Sequence, residues 1–248
     1  MKRVPLALQL FSLHKELKRD WKATLAAVHE MGYQGVEFFG GMTYPVEELY
    51  AELEKNQLKL VGWHIGYGDI NAETVAYNRA LGNHRLVVPG LPEEFTCSAQ
   101  AWRETAEKFC KAADYLKSEG FELGYHNHDS EFQPLDGEIP WEIFTQGTRG
   151  KVFLQIDNGN AMHGGADPIA LMEKDPGRCN TVHLKPYSKA TGYDTMIGQD
   201  DVDWAKTFQV LDAQGMTEWY IVEYECEAHY TQLAGAKACI DQLHTMGL

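Results

Sequence analysis

The chain of 248 residues has no apolar run of the roughly 18 residues that a membrane helix requires, so no membrane partner is expected. It is also poor in basic residues. Its 22 Lys and Arg stand against 36 Asp and Glu, which gives a formal net charge of −14. Such a surface repels phosphate backbones, and the composition therefore argues against a nucleic-acid partner.

The five cysteines are scattered and form no C-x-x-C pair, so neither a disulfide framework nor a cysteine metal site is expected. Reduced thiols are typical of a cytoplasmic protein, and we expect that location. Residues 1–13 imitate a secretory signal, with basic and then apolar residues. Because Gln9 interrupts the apolar stretch and no small residues mark a cleavage site, we interpret this segment as a strand.

Short β-rich runs alternate with helical patterns along the whole chain. The predicted strands are 4–13, 34–40, 59–66, 85–90, 121–128, 151–158, 180–186 and 219–225. The predicted helices are 20–31, 45–56, 71–81, 98–119, 140–146, 168–174, 204–214 and 230–245, with Asp20 and Ser98 as N-caps. Eight such pairs in this length predict an α/β fold, a (β/α)₈ TIM barrel in a single domain over 1–248. An open doubly wound sheet is the alternative, but the chain has no glycine-rich dinucleotide or phosphate turn to support it.

Polar residues recur at the carboxyl ends of seven predicted strands, although parallel strands are buried on both faces. They are Gln9, Glu37, His64, His126, His128, Gln155, Asp157, His183, Lys185, Glu223 and Glu225. Where a strand carries two, they are two residues apart and share one face. In a barrel all would converge at the mouth, where barrel enzymes hold their active sites. Imidazoles and carboxylates without thiolates predict one divalent ion, which could be Mn²⁺, Mg²⁺, Co²⁺, Fe²⁺ or Zn²⁺.

Several strand-end motifs together resemble the sugar phosphate isomerase/epimerase family of the xylose isomerase-like TIM barrels. They are L-Q-L-F-S-L (8–13), G-Y-Q-G-V-E-F-F-G (32–40), G-Y-H-N-H-D-S-E-F (124–132), Q-I-D-N-G-N (155–160), V-H-L-K-P (182–186) and W-Y-I-V-E-Y-E (219–225). That superfamily also includes endonuclease IV and several keto-sugar epimerases and dehydratases.

The resemblance implies a metal held by Glu, Asp, His and Glu at the ends of strands five to eight. Three of these positions match Asp157, His183 and Glu223. The fifth-strand position matches His126, which is then the expected fourth ligand, with Glu131 as the alternative. This departure puts the two-glutamate chemistry of the related epimerases in doubt.

The implied activity is metal-assisted proton transfer at a carbon next to the carbonyl of a sugar or keto-sugar, as in an isomerase or epimerase. Glu223, His128 and Glu131 are the candidate proton carriers. The predicted substrate contacts are Gln9, Glu37, His64 and Lys185. The expected partner is a small sugar, preferably not phosphorylated, and a homo-oligomer is possible.

Two other functional classes stay open. The first is a lyase on the same scaffold: an inosose or dehydroshikimate dehydratase, or an eliminase of keto-glycosides. It would share the first proton abstraction with an isomerase. The second is a non-catalytic sugar-binding barrel. An endonuclease is least expected, because the net charge of −14 opposes DNA binding.

Overall fold

The eight apolar runs form eight parallel strands in the computed structural model, which describes residues 4–248. The strands are β1 (Leu6–Gln9), β2 (Gly35–Phe39), β3 (Lys59–His64), β4 (Arg85–Val88), β5 (Glu122–His126), β6 (Phe153–Gln155), β7 (Thr181–Leu184) and β8 (Trp219–Val222). Their order in the sheet is β6-β5-β4-β3-β2-β1-β8-β7. The expected TIM barrel is confirmed and the open sheet was the wrong alternative. Residues 1–3, part of the signal-like segment, lie outside the described residues.

The two ends of the sheet, β6 and β7, meet at a narrow seam. Only one bridge joins them, between Asp157 and His183. His183 N donates to Ile156 O (2.9 Å), and Leu154 N donates to Arg178 O (2.7 Å). The barrel is therefore nearly closed, and its closing contact pairs two of the predicted metal ligands.

Helices follow the strands around the outside of the barrel. They are α1 (His14–Met31), α2 (Val46–Lys55), α3 (Ala72–Ala80), α4 (Glu93–Thr96), α5 (Ala99–Ser118), α6 (Pro140–Gly147), α7 (Asn158–His163), α8 (Pro168–Lys174), α9 (Trp204–Gln214) and α10 (Gln232–Thr245). Ser98 caps α5 as predicted, since its Oγ accepts a hydrogen bond from Ala101 N (3.0 Å). Tyr125 of β5 packs against Phe109 of α5 and Phe144 of α6, which places the main core between sheet and helices.

The first predicted strand, 4–13, is too long. β1 ends at Gln9, residues 10–13 form a 3₁₀ turn, and α1 begins at His14 rather than at Asp20. Asp20 instead marks a kink inside α1, where its backbone is extended and its Oδ1 accepts a hydrogen bond from Ala23 N (3.0 Å). The predicted capping interaction is therefore present, but within a longer helix.

The sixth predicted strand, 151–158, is also shorter than expected. β6 ends at Gln155, and the short helix α7 follows directly. Asp157 caps α7, because its Oδ1 accepts a hydrogen bond from Asn160 N (2.7 Å). Neither α4 nor α7 was predicted from the sequence. No helix in the described part of the chain is long and apolar enough to span a membrane.

Candidate metal centre and cavity

Four predicted ligands meet at the mouth of the barrel. His126 ends β5, Asp157 follows β6, His183 lies in β7 and Glu223 follows β8. One donor atom from each lies within 4.8 Å of the others, and all four residues are buried. His183 Nδ1 is 2.6 Å from Glu223 Oε2 and 3.9 Å from Asp157 Oδ2. Consecutive strands thus bring together two imidazoles and two carboxylates, which we call the quartet.

Two buried atoms of the quartet, His126 Nδ1 and Asp157 Oδ2, have no hydrogen-bond partner within residues 4–248. Such atoms are costly to bury unless something satisfies them. Imidazole nitrogens and carboxylate oxygens are also ordinary ligands of divalent metals. These residues therefore fit a divalent ion, with His126 in the β5 position.

Glu131, the alternative ligand and proton carrier, is not brought to the quartet. Its Oε1 accepts a hydrogen bond from the Tyr125 hydroxyl (2.7 Å). Its Oε2 accepts from His128 N (3.2 Å) and Ser130 Oγ (3.1 Å). Because Tyr125 packs against α5 and α6, Glu131 is turned towards the helix layer and closes the turn after β5.

Glu37 is fully buried behind His183 and is not placed to contact a substrate, contrary to expectation. Its Oε2 is 2.6 Å from His183 Nε2 and accepts a hydrogen bond from Gln9 Nε2 (2.8 Å). Its Oε1 accepts from Gln155 Nε2 (2.8 Å). Gly62 provides the room, since a Cβ there would lie 2.6 Å from Glu37 Oε1. A carboxylate behind a ligating imidazole fixes the ring and its proton, so Glu37 positions His183.

Gln9 and His64 support the same carboxylate and also line the cavity beside the quartet. Gln9 Oε1 accepts a hydrogen bond from Phe11 N (3.1 Å). His64 Nε2 is 2.7 Å from Gln155 Oε1 and 3.0 Å from Glu37 Oε2. Gln155 joins these groups but was not predicted as a site residue. Its polarity within a buried strand is the sequence signal that could have identified it as a site residue.

Burial and neighbouring charges set different protonation states in the quartet. Burial alone would lower the pKa of His183, but Glu37 and Glu223 raise it to about 10. Burial and the nearby His183 hold the pKa of His126 well below its usual value. Burial raises the pKa of Asp157 to about 6. His126 is therefore a neutral imidazole with a free lone pair, which is the form that binds metals.

Lys185 lies behind the β8 carboxylates and not in the cavity wall, so its predicted substrate contact is not supported. It is 5% exposed, and its Nζ donates to Glu223 Oε1 (3.2 Å) and Glu225 Oε1 (2.9 Å). The ring of Tyr193 lies 4.9 Å away and helps to cover it. Burial would raise the pKa of Glu223, but Lys185 and His183 hold it well below its usual value. Lys185 therefore positions the two carboxylates.

A cavity of about 380 Å³ opens beside the quartet. One part of its wall is polar and consists of Gln9, His64, His126, His128, Glu223 and Glu225; the rest consists of Phe11, Phe39, Gly40, Ile65, Gly66, Pro89 and Gly90. His128 is exposed to this space, with its ring centroid 5.2 Å from that of His126. Burial and the neighbouring Glu223 raise the pKa of Glu225 to about 7. Glu225 was noted in the sequence as a strand-end residue but was not assigned a role.

The fold and the position of the quartet define a class of protein. Residues 25–244 match the xylose isomerase-like TIM barrel family, and the chain belongs to that family.

Particular relatives divide between two kinds of enzyme. Inosose dehydratase from Clostridium perfringens is 24% identical over an alignment that covers 57% of this chain and 53% of that protein. The chain thus spans about half the length of the curated relatives that it matches first. A sugar phosphate isomerase/epimerase from Parabacteroides distasonis superimposes with a TM-score of 0.85 at 25% identity, over 98% of both chains. L-ribulose 3-epimerase, at 18% identity, has a TM-score of 0.74 over 98% of this chain and 94% of its own, and shares the fold alone.

Proposed function

We propose that this protein is a divalent-metal-dependent isomerase or epimerase that moves a proton at the carbon next to the carbonyl of a sugar or keto-sugar. The observation that carries the proposal is the buried quartet on the wall of the cavity, with two unpartnered donor atoms. A purely structural role would leave those atoms unsatisfied, whereas a bound divalent ion would take both as ligands.

His126, Asp157, His183 and Glu223 would hold the ion, with Glu37 fixing the His183 ring. When bound, a divalent ion polarises a carbonyl and lowers the cost of removing the adjacent proton. The cavity wall of the chain then supplies the hydrogen-bonding groups that orient the sugar. We assign this role to Gln9 and His64 because both line the cavity while they are anchored to Glu37.

The proposed proton carriers lie at two places on the cavity wall, at the ends of β5 and β8. These strands are three positions apart around the barrel. His128 is exposed at the β5 end. At the β8 end Lys185 holds Glu223 and Glu225, and with a pKa of about 7 the Glu225 carboxyl can keep or release a proton near neutral pH. Removal of a proton at one place and its return at the other would invert a carbon centre.

A dehydratase is the second candidate, favoured by the curated relatives named inosose dehydratase. Elimination begins with the same proton removal but then needs an acid for the departing hydroxyl. The Glu225 carboxyl, protonated in part at neutral pH, has the chemistry for that step.

Both candidates are tested by incubating the Mn²⁺-loaded protein with keto-sugars and keto-inositols in deuterated water. NMR would follow deuterium entering the carbon next to the carbonyl, and absorbance would detect an enone. Deuterium with an epimeric or isomeric product supports the isomerase, whereas an enone supports the dehydratase. Absence of both from every compound would instead support a non-catalytic sugar-binding barrel.

The proton carrier is tested with His128→Asn and a matched control, His29→Asn, on the exposed surface of α1. The His128 variant should lose about 10²–10⁴-fold in the rate of deuterium exchange, the usual contribution of a general acid or base. The His29 variant should keep the full rate. Equal exchange rates in the two variants would show that His128 does not carry the proton.

A further inference from the structure

We propose that the substrate is a neutral sugar carrying an apolar, ring-shaped substituent, and that Phe11 and Phe39 bind this substituent. The inference rests on the proposed function, because it concerns the same cavity. It names the class of substrate, which that proposal leaves open.

The first observation is an aromatic surface left open beside the metal centre. Phe11 follows β1 and is 41% exposed, although it lines the cavity. Its ring meets that of Phe39 edge-on, with centroids 5.1 Å apart at 84°. The other large apolar residues of comparable exposure in residues 4–248 lie outside this lining; they are Tyr50, Tyr115, Met216, Tyr230 and Met246. Aromatic and apolar walls with a few converging polar groups are typical of small-molecule sites.

The second observation is the open space next to this pair. A Cβ built at Gly40 or Gly90 would meet no heavy atom within 4 Å, so no side chain fills the rim beside Phe39 and Pro89. Trp63 Nε1 donates to Gly40 O (2.9 Å) and holds that part of the rim in place. At about 380 Å³ the cavity lies within the range of roughly 300–1,000 Å³ that drug-sized ligands fill. A substituent can therefore extend from the sugar over the two rings.

The third observation is the charge of the lining. No Lys or Arg within the described residues lines the cavity, whereas Glu223 and Glu225 do. Lys185 is directed at these two carboxylates and is covered by Tyr193. A phosphate ester would need fixed cationic or backbone donors, and the Lys185 ammonium group is already paired with Glu223 and Glu225. The lining therefore favours a substrate without a phosphate group.

Calorimetric titration of the Mn²⁺-loaded protein tests this with four unreactive probes: phenyl β-D-glucopyranoside, methyl β-D-glucopyranoside, glucose and glucose 6-phosphate. The phenyl glycoside should bind roughly five- to tenfold more tightly than the methyl glycoside, as expected for one added aromatic contact. Glucose 6-phosphate should bind no more tightly than glucose.

Variants assign the preference to the aromatic pair. Phe11→Ala should lose most of the difference between the phenyl and methyl glycosides, and Phe11→Leu should lose less of it. Phe11→Ala combined with Phe39→Ala should abolish the difference. Tyr50→Ala, which removes an equally exposed ring on α2, should keep all of it. Three results would each overturn the inference: no phenyl preference in the unaltered protein (including no measurable binding), a preference that is undiminished in Phe11→Ala or survives in the double variant, or tighter binding of the 6-phosphate. Because these probes do not react, failure of the deuterium exchange would reject the proposed function and leave this result standing.

Discussion

Binding of a metal to the quartet should stabilise the folded protein, and the size of the effect can be worked out. At a free Mn²⁺ concentration one hundred times the dissociation constant, ligand binding adds about 2.7 kcal/mol to the free energy of unfolding. For a chain of this size, 1 kcal/mol raises the unfolding midpoint by roughly 2–4 °C. We therefore expect Mn²⁺ to raise the midpoint of the unaltered protein by about 5–10 °C, measured by differential scanning calorimetry.

Two variants show which residue supplies the β5 ligand. His126→Gln replaces the unpartnered imidazole by a weakly binding amide. If affinity falls about a hundredfold, the same Mn²⁺ concentration adds only about 0.4 kcal/mol, a shift of roughly 1–2 °C. Glu131→Gln alters a buried carboxylate that is bound to Tyr125 outside the quartet, and should keep the full shift.

The reasoning fails if the two variants behave in the opposite way. A full shift in His126→Gln together with a lost shift in Glu131→Gln would move the ligand to Glu131. A full shift in Asp157→Ala or His183→Ala would show that the ion binds elsewhere. Elemental analysis of the same samples gives an independent count of bound metal for each variant.

Three further predictions concern two groups beside the quartet and one buried carboxyl elsewhere in the chain. Glu37→Gln removes the carboxylate partner of His183 and should weaken Mn²⁺ binding about 10–100-fold in calorimetric titration; unchanged affinity would show that the ring needs no such support. Lys185→Met removes the ammonium group that Glu223 and Glu225 share and should lower the free energy of unfolding by about 3–5 kcal/mol in urea, and a loss below about 1 kcal/mol would contradict this. Asp200 lies before α9 and its Oδ1 accepts a hydrogen bond from Trp204 Nε1 (2.9 Å). Burial raises the pKa of Asp200 to about 6, above the value of about 3.9 in an unfolded chain, so the folded state loses stability as pH rises from about 4 to about 6. The free energy of unfolding of Asp200→Asn should therefore equal that of the unaltered protein near pH 4 and be about 1 kcal/mol larger above pH 6. If the two proteins show the same pH dependence of the free energy of unfolding, Asp200 does not have the raised pKa.

The barrel and the meeting of polar side chains at its mouth were predictable because both follow from short-range patterns. The choice of four of those side chains as metal ligands came from the family resemblance. Apolar runs alternate with helical segments, and polar residues stand at the strand ends. Once the strands are parallel, their carboxyl ends meet at one rim, so His126, Asp157, His183 and Glu223 must come close together. No information about distant contacts is needed for that conclusion.

Other features depend on contacts between distant parts of the chain. Glu37 was expected to face the substrate, but Gln155, 118 residues away, binds its Oε1 and helps to bury it. Lys185 was expected to line the cavity, but its hydrogen bond to Glu225, 40 residues away, holds it behind β8. Long-range partners of this kind leave no local pattern in the sequence.

The narrow seam between β6 and β7 is the least extensively paired part of the barrel, and it lies at the candidate metal centre. A single bridge at Asp157 and His183 closes the ring, so the backbone amides there should exchange with solvent more readily than those of the other strand pairs. The same two side chains are candidate metal ligands, so a bound ion would link the ends of β6 and β7. Loss of the ion would then destabilise this strand pair and abolish the proposed activity together.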